Sequence, residues 1–308
     1  MANEIIPTSV ARPKPQITGI PGQIWNALRR YPIVPVVLLT ALVVSGIFAP
    51  WIAPHDPIEQ ELSLRNAPPF WYTEYWADSE FDGLSRLLGA DHVGRDVLSR
   101  VIHGARISLQ IMAISLTSGV IVGTALGLIA GYVGGILDEL IMRMVDVWLA
   151  LPFVLLALVS VIVFGASLGL IMILLALFTW ASFVRFVRAE VLSLRERDYV
   201  ALAKVAGAST IRIILIHILP GVANTVIVIT TLRVGQLILA EATLSFIGAG
   251  IPAPTPAWGL MVAEERTYIV TAWWSAFFPG LAIFLVVMSL NFMGDWMRDH
   301  FDPRLRQI

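Results

Sequence analysis

The sequence predicts an all-α, polytopic membrane protein with six transmembrane helices and both termini in the cytoplasm. Of its 308 residues, 57% are hydrophobic and 14% are charged, and the mean hydropathy is +0.79. A soluble domain carries about 25% charged residues, so this chain is too apolar to be one. Apolar stretches of about 20 residues, the length that crosses a bilayer, recur along the chain.

Six stretches meet or nearly meet that length criterion. They lie at 33–53, 108–131, 146–165, 167–184, 222–243 and 275–294. The third and fourth are separated only by the residues 165–167, which predict a tight hairpin. The second carries Gly119, Gly123 and Gly127 at G-x-x-x-G spacing, which lets helices approach closely in lipid. We expect this spacing to serve packing inside the bundle in preference to a dimer seam.

The distribution of Lys and Arg predicts the orientation. With the N-terminus inside, the inner segments hold more than twice as many of these residues as the outer ones, and cytoplasmic loops carry the excess positive charge. Residues 185–220 are then cytoplasmic. Six tryptophans fit an aromatic belt on the outer side. They are Trp51, Trp71, Trp76, Trp258, Trp273 and Trp274.

Composition also excludes several kinds of chemistry. A formal net charge of −1 argues against a nucleic-acid partner, and the lack of cysteine excludes disulfides and thiolate sites. The only lysines, Lys14 and Lys204, follow Pro13 and Ala203, so the chain has no phosphate-binding G-x-x-x-x-G-K-[ST] loop. The five histidines are scattered without H-E-x-x-H spacing. We therefore predict no metal site, no bound cofactor and no catalytic residue.

The stretch from 198 to 220, between two spans, predicts a bent helical elbow. Asp198 can cap a short helix, Gly207 can end it in the left-handed conformation, and Ser209 or Thr210 can cap the next helix. Pro220 is expected to break that second helix. Its predicted apolar back consists of Ile211, Ile214, Leu215, Ile218 and Leu219. The predicted front is of small residues, namely Ala201, Ala203, Ala206 and Gly207. The alternative is an amphipathic connector that lies on the bilayer.

The loops and the charged residues within spans carry further predictions. Residues 54–86 are acidic and aromatic, which predicts a loop packed on the membrane surface. Asp96 and Arg100 are spaced for an i,i+4 pair on a short helix. Arg233 and Glu241 stand in or near the fifth span, where a charge must face the bundle interior or a wet cavity. They are candidates to line a solute pathway, the alternative being a buried pair or bonds to backbone carbonyls.

Four blocks of sequence resemble the permease subunits of dipeptide/oligopeptide/nickel-type ABC importers, and specifically the shorter, C-type permease. They read LGADHVGRDVLSR (88–100), GARISL (104–109), EATLSFIGAGIPAPTPAWG (241–259) and LNFMGDWMRD followed by DPRLR (290–306). The elbow resembles the signature loop of these subunits, which it matches at Ala203, Gly207, Leu219 and Pro220. It departs from that loop at three positions, where Ala201 replaces Glu, Leu202 replaces the first Ala and His217 replaces Ile. The blocks also depart from the family pattern at Ala90, where the family has Thr, and at Met297, where it has Leu.

The resemblance implies a type I, MetI-like permease fold in a bacterial inner membrane. It implies a cytoplasmic arm at 1–31, a first helix and periplasmic loop at 32–103, a core domain at 104–297 with a coupling loop at 185–220, and a tail at 298–308. It also implies contact with ATPase subunits, which bind ATP and Mg. The implied coupling residues are Asp198, Ala201, Leu202, Ala203, Lys204, Gly207 and Pro220.

The implied partners are membrane lipids, a paralogous second permease, two ABC ATPase subunits and a periplasmic or lipid-anchored solute-binding protein. The resemblance does not decide which solute is carried, and the candidates are dipeptides, oligopeptides, glutathione-like compounds, nickel chelates and sugars. The alternative function is an autonomous secondary carrier or an intramembrane enzyme. Either would need an ion-coupling relay or a catalytic constellation of its own, and the sequence offers neither.

Overall fold

The computed structural model describes residues 32–72 and 86–301, and these residues form helices joined by short irregular segments. The predictions that fall on the N-terminal arm at 1–31, on Trp76 and on the tail beyond 301 lie outside them. The helices are α1 (Ile33–Ile52), α2 (Val97–Val133), α3 (Gly135–Ala150), α4 (Phe153–Phe164), α5 (Leu168–Leu194), α6 (Asp198–Val205), α7 (Thr210–Phe246), α8 (Trp258–Glu265) and α9 (Trp273–Phe301). Short 3₁₀ turns cover Leu62–Leu64 and Arg266–Tyr268.

Within this described part, five helices are long and apolar enough to cross a membrane, and the bent pair of α3 and α4 brings the number to six. The two members of that pair meet at 78°, so the predicted continuous span over 146–165 is wrong. The break falls at Leu151, whose ψ is 126°. Pro152 causes it, because a proline disfavours the helical conformation in the residue before it.

The bundle is built around the contact of α2 with α5. Gly119, Gly123, Gly127 and Gly131 lie along one edge of α2, where a Cβ would collide with Thr179, Phe183, Val187 and Val191 of α5. Because glycine has no side chain, the two backbones approach closely. The predicted role of the glycine spacing in packing within the bundle is confirmed.

Helix α3 is held against α5 by two ion pairs. Arg188 Nη2 donates to Asp138 Oδ2 over 2.7 Å, and Arg185 Nη2 donates to Asp146 Oδ1 over 2.6 Å. Both carboxylates lie on the side of α3 that faces α5, and its opposite side exposes a row of large apolar residues. That row consists of Ile136, Leu140, Met144 and Val147.

The elbow has the predicted bend, although two of its details differ. Gly207 adopts φ +78° after α6, and Ser209 caps the next helix by accepting from Arg212 N. Asp198 does not cap α6, because Arg197 occupies the cap position and Asp198 is the first helical residue. Pro220 does not break the second helix either, since α7 is helical from Thr210 to Phe246.

A π-helical segment over Ile213–Ile218 explains how α7 accommodates Pro220. Proline lacks an N–H and clashes with the carbonyl four residues earlier, and the wider π turn relieves that conflict just before it. The predicted apolar stripe is correct for Ile214, Ile218 and Leu219, which pack in a buried cluster, and wrong for its other two members. Ile213 and Ile218, five residues apart, are buried, whereas Ile211 and Leu215 are exposed.

The outer segments pack on the protein. Asp96 caps α2 by accepting from Ser99 N over 2.8 Å, so the predicted Asp96–Arg100 pair is wrong and the helix it starts is long. Trp258 Nε1 donates to Val101 O over 2.9 Å and Trp274 Nε1 to Ala90 O over 3.1 Å. Both indoles are buried, so these two tryptophans do not belong to the predicted aromatic belt.

Candidate functional site

The elbow presents an exposed apolar surface. Leu202, Val205 and Ile211 are 68%, 87% and 70% exposed. Large exposed apolar side chains grouped in this way mark a surface that contacts another protein or a membrane. The predicted small-residue front is therefore incomplete, because large apolar side chains lie beside the exposed Ala201 and Gly207.

The predicted coupling residues do not all lie on that surface. Asp198, Lys204 and Pro220 are exposed together with Ala201, Leu202 and Gly207. Ala203 is buried and supports α6 from within. Sequence reasoning missed the exposed side chains of Val205 and Tyr199, although both could be recognised as large residues within the predicted short helix.

The end of α6 is fixed by backbone hydrogen bonds. Gly207 N donates to Lys204 O over 3.0 Å, and Ala208 N donates to Ala203 O over 3.1 Å. This pair of bonds is a Schellman motif, in which a residue with positive φ satisfies the last helical carbonyls. A Cβ at Gly207 would meet nothing within 4 Å, so only the backbone conformation selects glycine here.

The elbow is attached to the spans by a buried cluster that we call the elbow core. It consists of Leu128 of α2, Val187 and Val191 of α5, Val200 and Ala203 of α6, and Ile213, Ile218 and Val222 of α7. Two polar contacts support it: Lys204 Nζ lies 5.5 Å from the centre of the Tyr132 ring, and Arg195 Nη1 donates to Gly131 O over 3.1 Å. Through this cluster α6 packs directly against the spans.

Arg233 lies half-buried on α7. Its Nη1 donates to Gln236 Oε1 over 2.6 Å, and the guanidinium lies 6.0 Å from the centre of the Phe186 ring. A cation over an aromatic face and an amide acceptor stabilise the charge without a carboxylate. The predicted pathway role of Arg233 stays a prediction.

Glu241 occupies a different environment from Arg233, because it is buried. Its carboxylate accepts from Ser245 Oγ over 2.7 Å, and Ser245 Oγ also accepts from Ile251 N. These bonds attach the end of α7 to the loop 247–257, which is irregular as its glycines and prolines predicted. The geometry favours a structural role for Glu241 in holding that loop, and its pathway role stays a prediction.

The segments around the start of α2 and the end of α8 contain a buried ionic network that the sequence did not reveal. Arg95 Nη2 and Arg100 Nη2 both donate to Glu264 Oε2, over 2.9 and 3.1 Å. Asp91 accepts from Arg95 Nε and from the backbone N–H groups of Val93 and Arg95. The network joins α8 to the turn before α2 and to the first turn of α2, through bonds between residues 164 and 169 positions apart in the chain.

His92 and Glu265 continue this network. His92 Nδ1 lies 2.6 Å from Glu265 Oε1, and Ser275 Oγ donates to Glu265 Oε2 over 2.9 Å. With Asp91 they form a group whose spacing would suit a metal ion. The oxygens of Asp91 and Glu265 already accept hydrogen bonds, and Arg95 lies beside them, so the group is better described as a hydrogen-bonded junction between outer segments.

Comparisons with known proteins agree with this geometry. Residues 123–307 match the family described as binding-protein-dependent transport system inner membrane component. Residues 24–69 match the N-terminal transmembrane domain of oligopeptide transport permease C.

Several characterised proteins resemble the chain over most of its length. The di/tripeptide transport system permease protein DppC of Pseudomonas aeruginosa (strain UCBPP-PA14) is 43% identical over 266 residues, which cover 86% of this chain and 85% of that protein. The dipeptide permease DppC of Escherichia coli (strain K12) is 43% identical over 287 residues, covering 92% and 93%. The glutathione transport system permease protein GsiD of Escherichia coli O6:K15:H31 (strain 536 / UPEC) is 39% identical over 286 residues, covering 92% and 90%.

A solved structure shares the fold. It is the MetNI methionine ABC transporter in inward-facing conformations, with a TM-score of 0.53 and 18% identity over 64% of this chain and 93% of that one. Taken with the apolar helices and the elbow, these matches establish that the chain belongs to the family of binding-protein-dependent transport system inner membrane components, the membrane-spanning permease subunits of ABC importers.

Proposed function

We propose that the chain is half of a heterodimeric permease that carries dipeptides and related short peptides across a bacterial inner membrane. A paralogous permease forms the other half, an external binding protein delivers the solute, and two ABC ATPases drive the cycle. The exposed apolar surface of the elbow is the observation that carries the coupling part of this proposal. The peptide class rests on the curated relatives, which include dipeptide, di/tripeptide and glutathione permeases.

The ATPase is proposed to hold α6 in a surface cleft. Leu202 and Val205 supply the apolar contact, and the exposed carboxylate of Asp198 and ammonium of Lys204 flank it with charge. Apolar burial at the centre of a contact and charge at its edge are the usual distribution in protein interfaces. Nucleotide-driven closure would then move α6, and the elbow core would pass that movement to α2, α5 and α7 as a rigid-body rotation.

The solute class is tested by reconstituting the complete complex in vesicles and measuring ATP-dependent uptake over a series of peptide lengths. We expect uptake of dipeptides and tripeptides that stops when ATP or the ATPase subunits are omitted. Glutathione in the same series tests the second class found among the relatives. Uptake driven by a proton or sodium gradient through this chain alone would instead support an autonomous secondary carrier.

The coupling role is tested at Gly207. Replacing it by valine forces a β-branched residue into positive φ, which costs about 1–2 kcal/mol of conformational energy. A loss of that size in the docked conformation of the elbow corresponds to a weakening of ATPase binding of about tenfold. The measurement is co-purification of the ATPase with the permease, followed by uptake.

Two controls separate coupling from simple instability. Gly165 has φ +80° and ψ 153°, and a Cβ there would also meet nothing within 4 Å among the described residues, so Gly165→Val imposes at least as much backbone strain in the hairpin between α4 and α5. It should leave ATPase binding unchanged. Gly207→Asn should retain most of the binding, because asparagine tolerates the left-handed conformation. If Gly207→Val binds the ATPase and transports as the parent does, the coupling role is wrong.

A further inference from the structure

One side of α2 carries a row of polar residues that nothing in the described part of the chain covers. Arg106, Gln110 and Thr117 are exposed, and Thr124 is half-buried. Their spacings of four, seven and seven residues return to the same face of an α-helix at each step. The 18 residues between the first and the last correspond to about 27 Å, close to the thickness of a bilayer core of about 30 Å.

The hydroxyl of Thr124 differs from other hydroxyls in the spans. Thr179, Thr230, Thr231 and Thr243 each donate to the carbonyl four residues earlier. Such a bond removes the cost of placing a hydroxyl in an apolar medium. Thr124 Oγ1 is buried and has no hydrogen-bond partner among the described residues, and Thr124 lies beside an open space.

That space is a groove between α2 and α7 of about 390 Å³. Thr124 lies in its wall with Val120 and Leu128 of α2 and with Leu219 and Ala223 of α7. The other residues that line the groove are apolar, so the groove adjoins the polar row at Thr124 without extending its polar character. The row and the groove therefore meet at Thr124, and Leu128 of the groove also belongs to the elbow core.

Another side of α2 is apolar, as expected of a surface that faces lipid. Val122 and Ile129 are 45% and 37% exposed, and Val133 is also exposed. A helix surrounded by lipid alone would have no reason to concentrate Arg, Gln and Thr on one line, because each polar group in hydrocarbon costs free energy. The division of the exposed surface of α2 indicates that its polar side faces water.

We propose that Arg106, Gln110, Thr117 and Thr124 line the aqueous solute pathway of the assembled permease. Gln110, Thr117 and Thr124 offer neutral donors and acceptors that match the amide groups and termini of a short peptide, and their weak bonds allow the solute to leave again. Arg106, at the outer end, would attract a terminal carboxylate on entry. The pathway placement rests on the permease function and does not depend on which solute is carried.

The chain has no cysteine, so single cysteines can be introduced at Gln110, Thr117 and Thr124 without removing others. The complete complex, reconstituted in vesicles, is treated with a charged, membrane-impermeant thiosulfonate, and modification is followed by the mass of the intact chain. Val122→Cys and Ile129→Cys are the matched controls on the other exposed side of α2. Only complexes that elute intact, with both permeases and the ATPase, are labelled.

Because the reacting species is the thiolate, which forms in water, cysteines at 117 and 124 should be modified at least about tenfold faster than those at 122 and 129. Equal rates on the two sides would overturn the proposal, as would a lack of modification at both 117 and 124, which would assign the row to a dry contact with the second permease. Slower labelling in the presence of a dipeptide would show separately that dipeptides enter the pathway. If dipeptides are not the solute, the comparison of labelling rates still tests whether the row faces water.

Discussion

Replacing Arg100 by methionine is expected to destabilise the protein by about 3–5 kcal/mol, the cost of removing one partner from a buried ionic group. Arg100 is 1% exposed. Its Nη2 donates to Glu264 Oε2 over 3.1 Å, and its Nε lies 3.8 Å from Asp91 Oδ2. Without the Arg100 guanidinium, the two carboxylates of Asp91 and Glu264 share the single positive charge of Arg95 within this network.

The measurement is thermal unfolding of the purified permease in detergent. Arg106→Met is the matched control, because Arg106 stands six residues further along the same helix and is exposed, so its replacement should change the unfolding temperature little. Arg100→Lys should lie between the two, since an ammonium keeps the charge but cannot reproduce the planar fork of donors. Equal unfolding temperatures for the Arg100→Met and Arg106→Met variants would contradict the stabilising role of the network.

Local signals in the sequence were sufficient for much of the fold. The apolar stretches located the spans because crossing a bilayer imposes a minimum length, and Gly207 marked the end of α6 because few other residues adopt positive φ. The glycines of α2 indicated a close helix contact for the same steric reason. Each of these inferences depends on residues within one or two turns of each other.

The inferences that failed depended on partners far away in the chain or on backbone geometry. Asp96 and Arg100 are correctly spaced for a pair, yet Arg100 bonds to Glu264, 164 residues later. Spacing within one helix cannot reveal such a competitor. The stripe predicted on α7 assumed 3.6 residues per turn, and the π segment at Ile213–Ile218 changed which side chains face inward. In the sequence, Pro220 was the only sign of this π segment.

The pathway role of the polar row on α2 could be proposed only with the structure. The sequence places Thr117 and Thr124 on one side of a helix, but it does not say whether a neighbouring helix covers that side. The structure leaves the hydroxyl of Thr124 unpartnered and a groove beside it. Arg233 and Glu241, the predicted pathway residues, were chosen for charge alone, and their surroundings turned out to differ greatly.

Gly123→Leu is expected to destabilise the protein by about 3 kcal/mol, the upper end of the usual cost of overpacking an interior. A Cβ at this position would collide with Phe183 and would lie 2.6 Å from the backbone oxygen of Trp180. A side chain can rotate away, whereas a helical backbone cannot, so α2 and α5 would have to separate. Since these helices carry the elbow core, the ATPase should also bind less tightly to this variant.

Gly123→Ala and Gly169→Ala provide a graded comparison. Alanine at 123 still meets the backbone of α5, so it should lower the unfolding temperature, but less than leucine does. Gly169 stands in the first turn of α5, where a Cβ meets nothing within 4 Å, so alanine there should be neutral or slightly stabilising. If Gly123→Leu leaves the isolated chain as stable as the parent but prevents association with the second permease, the glycine edge joins two chains, and the contact between α2 and α5 is not what the glycines serve.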